Sequence, residues 1–109
     1  MAQPHATPGN VVDLGPLGSQ LRNAKTTALV KEKHFEAIRL IVHEGAKIAP
    51  HAVAGNIMLH CLEGQVILGL ASGEIVLEGG DWIYLSEAES HSLRGIVDSS
   101  LLLTILLPK

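Results

Sequence analysis

Six histidines, one cysteine and eleven carboxylates are the side chains of this 109-residue chain best suited to hold a metal or move a proton. The stretch GAKIAPHAVAGNIMLHCLEGQV, Gly45 to Val66, sets His51 six residues after a glycine and then runs through His60 and Cys61 to Glu63-Gly64. Imidazole is the commonest metal ligand, so this stretch poses the question of a metal site at His51. Farther on, Glu89 stands two residues before His91, a spacing that in an extended chain sends both side chains to one face. Other chemistries find no support. There is no G-x-S-x-G elbow, no H-E-x-x-H and no C-x-x-C, and the glycine-bearing GLASGEIVLEGG lacks the Lys-Ser/Thr of a phosphate loop. His34 and His43 bracket the segment FEAIRLIV and read as solvent-facing or edge residues, while His5 lies among Pro, Gly and small polar residues. With a net charge of -3 and no Lys/Arg cluster, nucleic acid is not an expected partner.

The elements that position these residues follow from composition and punctuation. Hydrophobic residues make up 47% of the chain and charged ones 17%, which suits one globular domain. Phe35, Trp82 and Tyr84 are the only aromatics, so the core is built from Val, Ile and Leu, which in short runs favour strands. Residues 1–10 read as a flexible N-terminal arm and 11–109 as a single domain. In it TTALVKE, HFEAIRLIVHEG, NIMLHCL, QVILGL, EIVLE, WIYL, HSLRGIV and SLLLTILL predict about eight strands, an all-β pattern of sandwich or barrel type. A turn is expected around Pro50, and a hairpin across Glu63-Gly64 joins NIMLHCL to QVILGL. Several strands are apolar on both faces. One face fills the interior, and the other needs a cover, for which a second subunit is the simplest source and a folded-back N-terminal segment the rival. Trp82 and Tyr84 share a strand face and read as core or dimer packing rather than a stacking platform. Cys61 has no partner for an internal disulfide and reads as a buried, inert thiol. No secretory signal is visible and no apolar run approaches the roughly 20 residues that span a bilayer. The reading is cytoplasmic, without membrane partners.

The spacing of glycines and histidines resembles the cupin family, small jelly-roll barrels marked by two motifs. The first has a glycine, two histidines, a glutamate and a closing glycine; Gly45, His51 and Gly64 fall on that frame, while Val53 replaces the second histidine and Ile57 the glutamate. In the second, Gly80 and His91 match, and Ser86, Ala88 and Gly95 stand where a proline, a glycine and an asparagine are the rule. The resemblance covers residues 34–107 and implies an all-β, cupin-type jelly-roll barrel, the double-stranded β-helix.

The family's ligand positions converge inside the barrel on one divalent metal, Zn, Fe, Mn or Ni, held by imidazole and carboxylate. Here the resemblance leaves His51 and His91 as metal ligands, with Glu89 or Cys61 as the source of a third. Valine and isoleucine offer no lone pair and dry the cavity, which Val53, Ile57, Leu59 and Cys61 are expected to line. His60 is offset from Ile57 by an odd number of residues and falls on the other strand face. The expected function is binding of a small organic molecule in a mainly apolar cavity beside a degenerate metal site. The alternative is a metal-dependent enzyme, an oxygenase or isomerase, using His51 and His91. A homodimer is expected in either case.

Overall fold

The computed structural model describes residues 5–51, 55–87 and 89–108, apart from the side chains of Pro50 and His51. The short apolar segments become nine strands: β1 (Thr27–Lys31), β2 (Phe35–Val42), β3 (Lys47–His51), β4 (Ile57–Glu63), β5 (Gln65–Leu70), β6 (Gly73–Glu78), β7 (Trp82–Leu85), β8 (His91–Gly95) and β9 (Ser99–Leu106). They form two antiparallel sheets, in the orders β1-β2-β9-β4-β7 and β3-β8-β5-β6. From β2 to β9 the chain alternates between the layers except at the β5–β6 hairpin, as in a jelly roll, with β1 added at one edge. No helix of the described residues is long and apolar enough to cross a membrane.

Strand alternation sorts the side chains. In β4, Ile57, Leu59 and Cys61 are buried, while Met58 and His60 are only partly so. They meet Leu101, Leu103 and Ile105 of β9 and Ile83 and Leu85 of β7 on the inner side of the larger sheet. From the smaller sheet come Val66, Leu68, Leu77 and Leu93. This is an almost wholly aliphatic core, as the scarcity of aromatics requires. Trp82 and Tyr84 do share a face, but it is the outer one, where they are 59% and 53% exposed; core packing is excluded for both.

Two local expectations are corrected. Residues 47–51 form β3 rather than a turn around Pro50. Proline lacks the N–H that an inner strand must donate, but β3 lies at the edge of its sheet, where that loss is tolerated. Its ladder to β8 is irregular between Ile48 and His51. Likewise, β4 and β5 do not pair as a hairpin. Gly64 marks the corner where the chain leaves one sheet for the other, with φ of 96° and Asp98 O and Ser99 so close that no Cβ fits. Ser99 Oγ seals the corner by accepting from Gln65 N and donating to carbonyl oxygens.

The N-terminal segment folds back over the larger sheet. Ala6 N donates to Leu29 O, Thr7 and Asn10 close a turn, and a short 3-10 helix, Gly18–Asn23, buries Leu21. Two side chains tie it down. The Glu63 carboxylate accepts from Leu17 N at 2.9 Å and Gly18 N at 3.0 Å, and Arg39 donates to Gly15 O and to Ser100 Oγ. Thus the cover for the β1–β2 half comes from the chain itself.

Cys61 is fully buried, its Sγ 3.7 Å from Glu63 O and 3.8 Å from Gly64 O. Burial pushes its thiol up; a backbone hydrogen bond with Glu63 opposes this, and the charges of Asp81 and Glu78 add to the rise.

Replacing Glu63 by Ala should cost about 1–2 kcal/mol, the usual worth of charge-assisted hydrogen bonds that are partly solvated. Hydrogen exchange should speed up at Leu17 and Gly18 while β9 amides keep their protection. Because the folded Cys61 thiol titrates above the unfolded one, its contribution to stability is complete below the unfolded thiol's range and is lost as pH rises through the folded value. Cys61→Ala should therefore flatten the alkaline loss of stability in denaturant titrations, and in the native protein Cys61 should react with thiol reagents only at the rate of unfolding.

Candidate functional site

Strand β8 points His91, Leu93 and Gly95 inward, all buried, and turns Ser92 and Arg94 outward. Interior Gly95 lies against His43 O and Val42 O, where a Cβ would collide with backbone; this is the position the cupin motif gives to asparagine. The approach to β8 is held by a turn in which Glu89 N donates to Ser86 O, and Asn56 Oδ1, beside the start of β4, accepts from Glu87 N at 2.8 Å. That turn carries Glu89 O to within 3.2 Å of His91 Nδ1. A carbonyl only accepts, so in the neutral ring the proton sits on Nδ1 and Nε2 is the basic nitrogen. With 5% exposure, His91 is the only buried ionisable side chain among the described residues apart from the Cys61 thiol.

His91 forms one wall of an interior cavity of about 130 Å³. Among the described residues Leu40 of β2, Ile48 of β3, Leu59 of β4, Leu93 of β8 and Leu103 of β9 line it with His91, so both sheets contribute. These are five aliphatic side chains and one imidazole.

The residues singled out from sequence are distributed unevenly around this cavity. The backbone register sets His51 directly opposite His91 across β3 and β8. Leu59 lines the cavity. Ile57 is 2% exposed but sits in the core against Leu85 and Ile105, and Cys61 lies farther along β4 beside Leu101, with its sulfur near main-chain carbonyls. Neither lines the cavity. Glu89 reaches His91 through its main-chain carbonyl. Val53 falls outside the described residues. His60 faces outward, paired with Trp82 and Leu102. His34 is exposed, and His43, expected to be solvent-facing or an edge residue, stands just past the end of β2 and is partly buried; its Nε2 is buried without a hydrogen-bond partner among the described residues, at the corner where His43 O accepts from Ala46 N.

Cupin barrels imply a metal, and the described residues do not fit one. No group of three His, Cys, Asp or Glu side chains comes together among them, and the position that would carry the ligating glutamate is the buried aliphatic Ile57. With no group of three ligating side chains among the described residues, the site lacks the three-ligand arrangement that catalytic zinc requires.

Sequence reasoning missed Leu40, Ile48, Leu93 and Leu103. Leu93 was within reach, since HSLRG alternates and Leu93 shares the parity of His91. Leu103 was not, because SLLLTILL is apolar on both faces and either register looks acceptable.

No family model matches this sequence, and no curated protein matches it. The likeness to known proteins is three-dimensional. The structure aligns over 99% of its length with 99% of a cupin superfamily protein from Desulfitobacterium hafniense, at a TM-score of 0.78 and 14% identity. It aligns over 98% with 94% of an RmlC-like cupin from Shewanella frigidimarina, at 0.74 and 18%. A conserved protein of unknown function from Streptococcus pyogenes is similar over 100% of this chain and 96% of its own, at 0.77 and 16%. At such identities the likeness speaks for the fold. Two sheets in jelly-roll order, a corner at Gly64, an interior His91 and these neighbours lead to one conclusion: the chain folds as a cupin.

Proposed function

We propose that the protein binds a small organic molecule in the cavity beside His91. The observation that carries this reading is the lining itself, five aliphatic side chains and one imidazole around about 130 Å³. Apolar walls with one placed polar group are the usual make-up of a ligand pocket. A dry apolar cavity of about 150 Å³ admits benzene, so the guest is of that size, with one polar group for the imidazole to orient. This reading needs no metal. A metal-dependent oxygenase or isomerase using His51 and His91 draws its support from their opposed register alone; elemental analysis of untagged protein at one metal per chain would favour it.

A second copy of the chain is the proposed partner for the outer face of β4, β7 and β9. Trp82, Tyr84 and Leu106 are exposed there, and Met58, His60 and Leu102 lie among them by register.

In a thermal-shift panel of benzene-sized monofunctional compounds, a true guest at ten times its Kd should add about 1.4 kcal/mol, or roughly 6–10 °C in Tm. The shift should vanish in His91→Leu and in the cavity-filling Leu103→Phe, and a panel without a single stabiliser would sink the reading. Sedimentation should show a dimer that Trp82→Glu with Tyr84→Glu converts to monomer; a monomeric parent protein would remove the partner proposal.

A further inference from the structure

The outer face of the smaller sheet carries a second concave site, built from residues that the cavity does not use. Lys47 and Arg94 stand directly opposite each other across β3 and β8, and both are exposed. Like charges so placed repel. Neither is engaged by a hydrogen bond or an ion pair with a described residue. Beside them the sheet surface is hollowed by Gly69, which pairs with Ser92; a Cβ on Gly69 would come within 2.5 Å of Ser92 Oγ. The result is a groove of about 250 Å³ with the two cations at one end, the Ser92 hydroxyl and Ile67 along it, and Glu74 at the far rim.

We propose that this groove binds a small monocarboxylate with a short apolar body. The guanidinium of Arg94 presents the planar fork that matches a carboxylate, Lys47 adds a compact second charge, and Ser92 donates from the floor. A bound carboxylate relieves the repulsion between the two cations, which nothing else in the described structure neutralises. Ile67 and the bare backbone at Gly69 receive the apolar body. Glu74 repels a second negative charge, which selects a monoanion over a dianion. The site is open to solvent, so salt weakens binding.

Ile48 and Leu93, a cross-strand pair, border both this groove and the interior cavity. The two sites are therefore neighbours through one layer of side chains, but their chemistry separates them: the cavity is aliphatic with an imidazole, and the groove is cationic.

The test is an NMR amide-shift titration with butyrate and, at matched ionic strength, butanol. Butyrate should move the amides of Lys47, Gly69, Ser92 and Arg94, and added salt should reduce the effect. Loss of these charge-assisted contacts in Lys47→Gln with Arg94→Gln should weaken butyrate binding at least about tenfold. Both side chains are exposed, so the double variant should keep the parent spectrum elsewhere. Gly69→Ala, which fills the floor and forces the Ser92 hydroxyl to rotate, should weaken binding independently. Unchanged butyrate binding in the double variant overturns the proposal, as does the absence of any shift. Shifts confined to Leu40, Leu59 and Leu103 also overturn it while supporting the cavity as the binding site, and butanol moving the groove amides as far as butyrate does overturns it as well.

Discussion

β9 is the strand on which the larger sheet depends. It is hydrogen-bonded along eight residues to β2 on one side and to β4 on the other, so its side-chain alternation sets the register of both neighbours. Leu101, Leu103 and Ile105 point inward and pair with the buried Cys61, Leu59 and Ile57 of β4, while Leu101 and Leu103 also pair with the partly buried Leu40 and Ile38 of β2. A one-residue slip would exchange them for Ser100, Leu102 and Thr104 and place two hydroxyls in the core. Burying a leucine contributes about 1.5–3 kcal/mol, so the three inward residues strongly favour the observed register.

The cavity follows from the same alternation. Leu103 meets Leu59 at one level of the larger sheet, Leu40 lies on the neighbouring strand, and the smaller sheet brings Ile48, Leu93 and His91 to face them. With no aromatic ring to fill the gap between the sheets, aliphatic side chains leave a space at that level. An imidazole at its wall costs free energy unless it is hydrogen-bonded, and the turn before β8 supplies Glu89 O for that purpose. The turn is itself held by Asn56, so the ring's setting is coupled to the beginning of β4. The setting of His91 Nδ1 thus depends on main-chain geometry.

Much of the strand framework was legible along the chain. WIYL coincides with β7, and ASG makes the β5–β6 turn, because Gly and short apolar runs act locally. The edge strand around Pro50 was hidden, since proline in an apolar stretch signals a break unless the neighbouring strand lies on one side only. Glu63-Gly64 looked like a hairpin for a similar reason. Local residues call for a sharp turn, but whether the next strand pairs with the last or crosses to the opposite sheet depends on contacts with Ser99, thirty-five residues away. At the site, His91 and its register partner His51 stand out by their glycine spacing and Leu93 by its parity with His91, whereas Leu40, Ile48 and Leu103 carried no mark that sets them apart from ordinary core.

By itself the sequence determined that this is an all-β chain with an aliphatic interior, with Val53 and Ile57 as apolar residues and His51 and His91 as imidazoles at the spacings on which its resemblance to cupins rests. Those are properties of residue type and spacing, which act over a few neighbours. Only the tertiary structure decided that the N-terminal segment covers half of the larger sheet through Glu63 and Arg39, that no three metal-ligating side chains gather among the described residues, that Cys61 lies outside the cavity lining, and that Lys47 and Arg94 share a groove. Each of these depends on which distant strands become neighbours, and that is settled by burying apolar faces in a common register, which no local stretch contains.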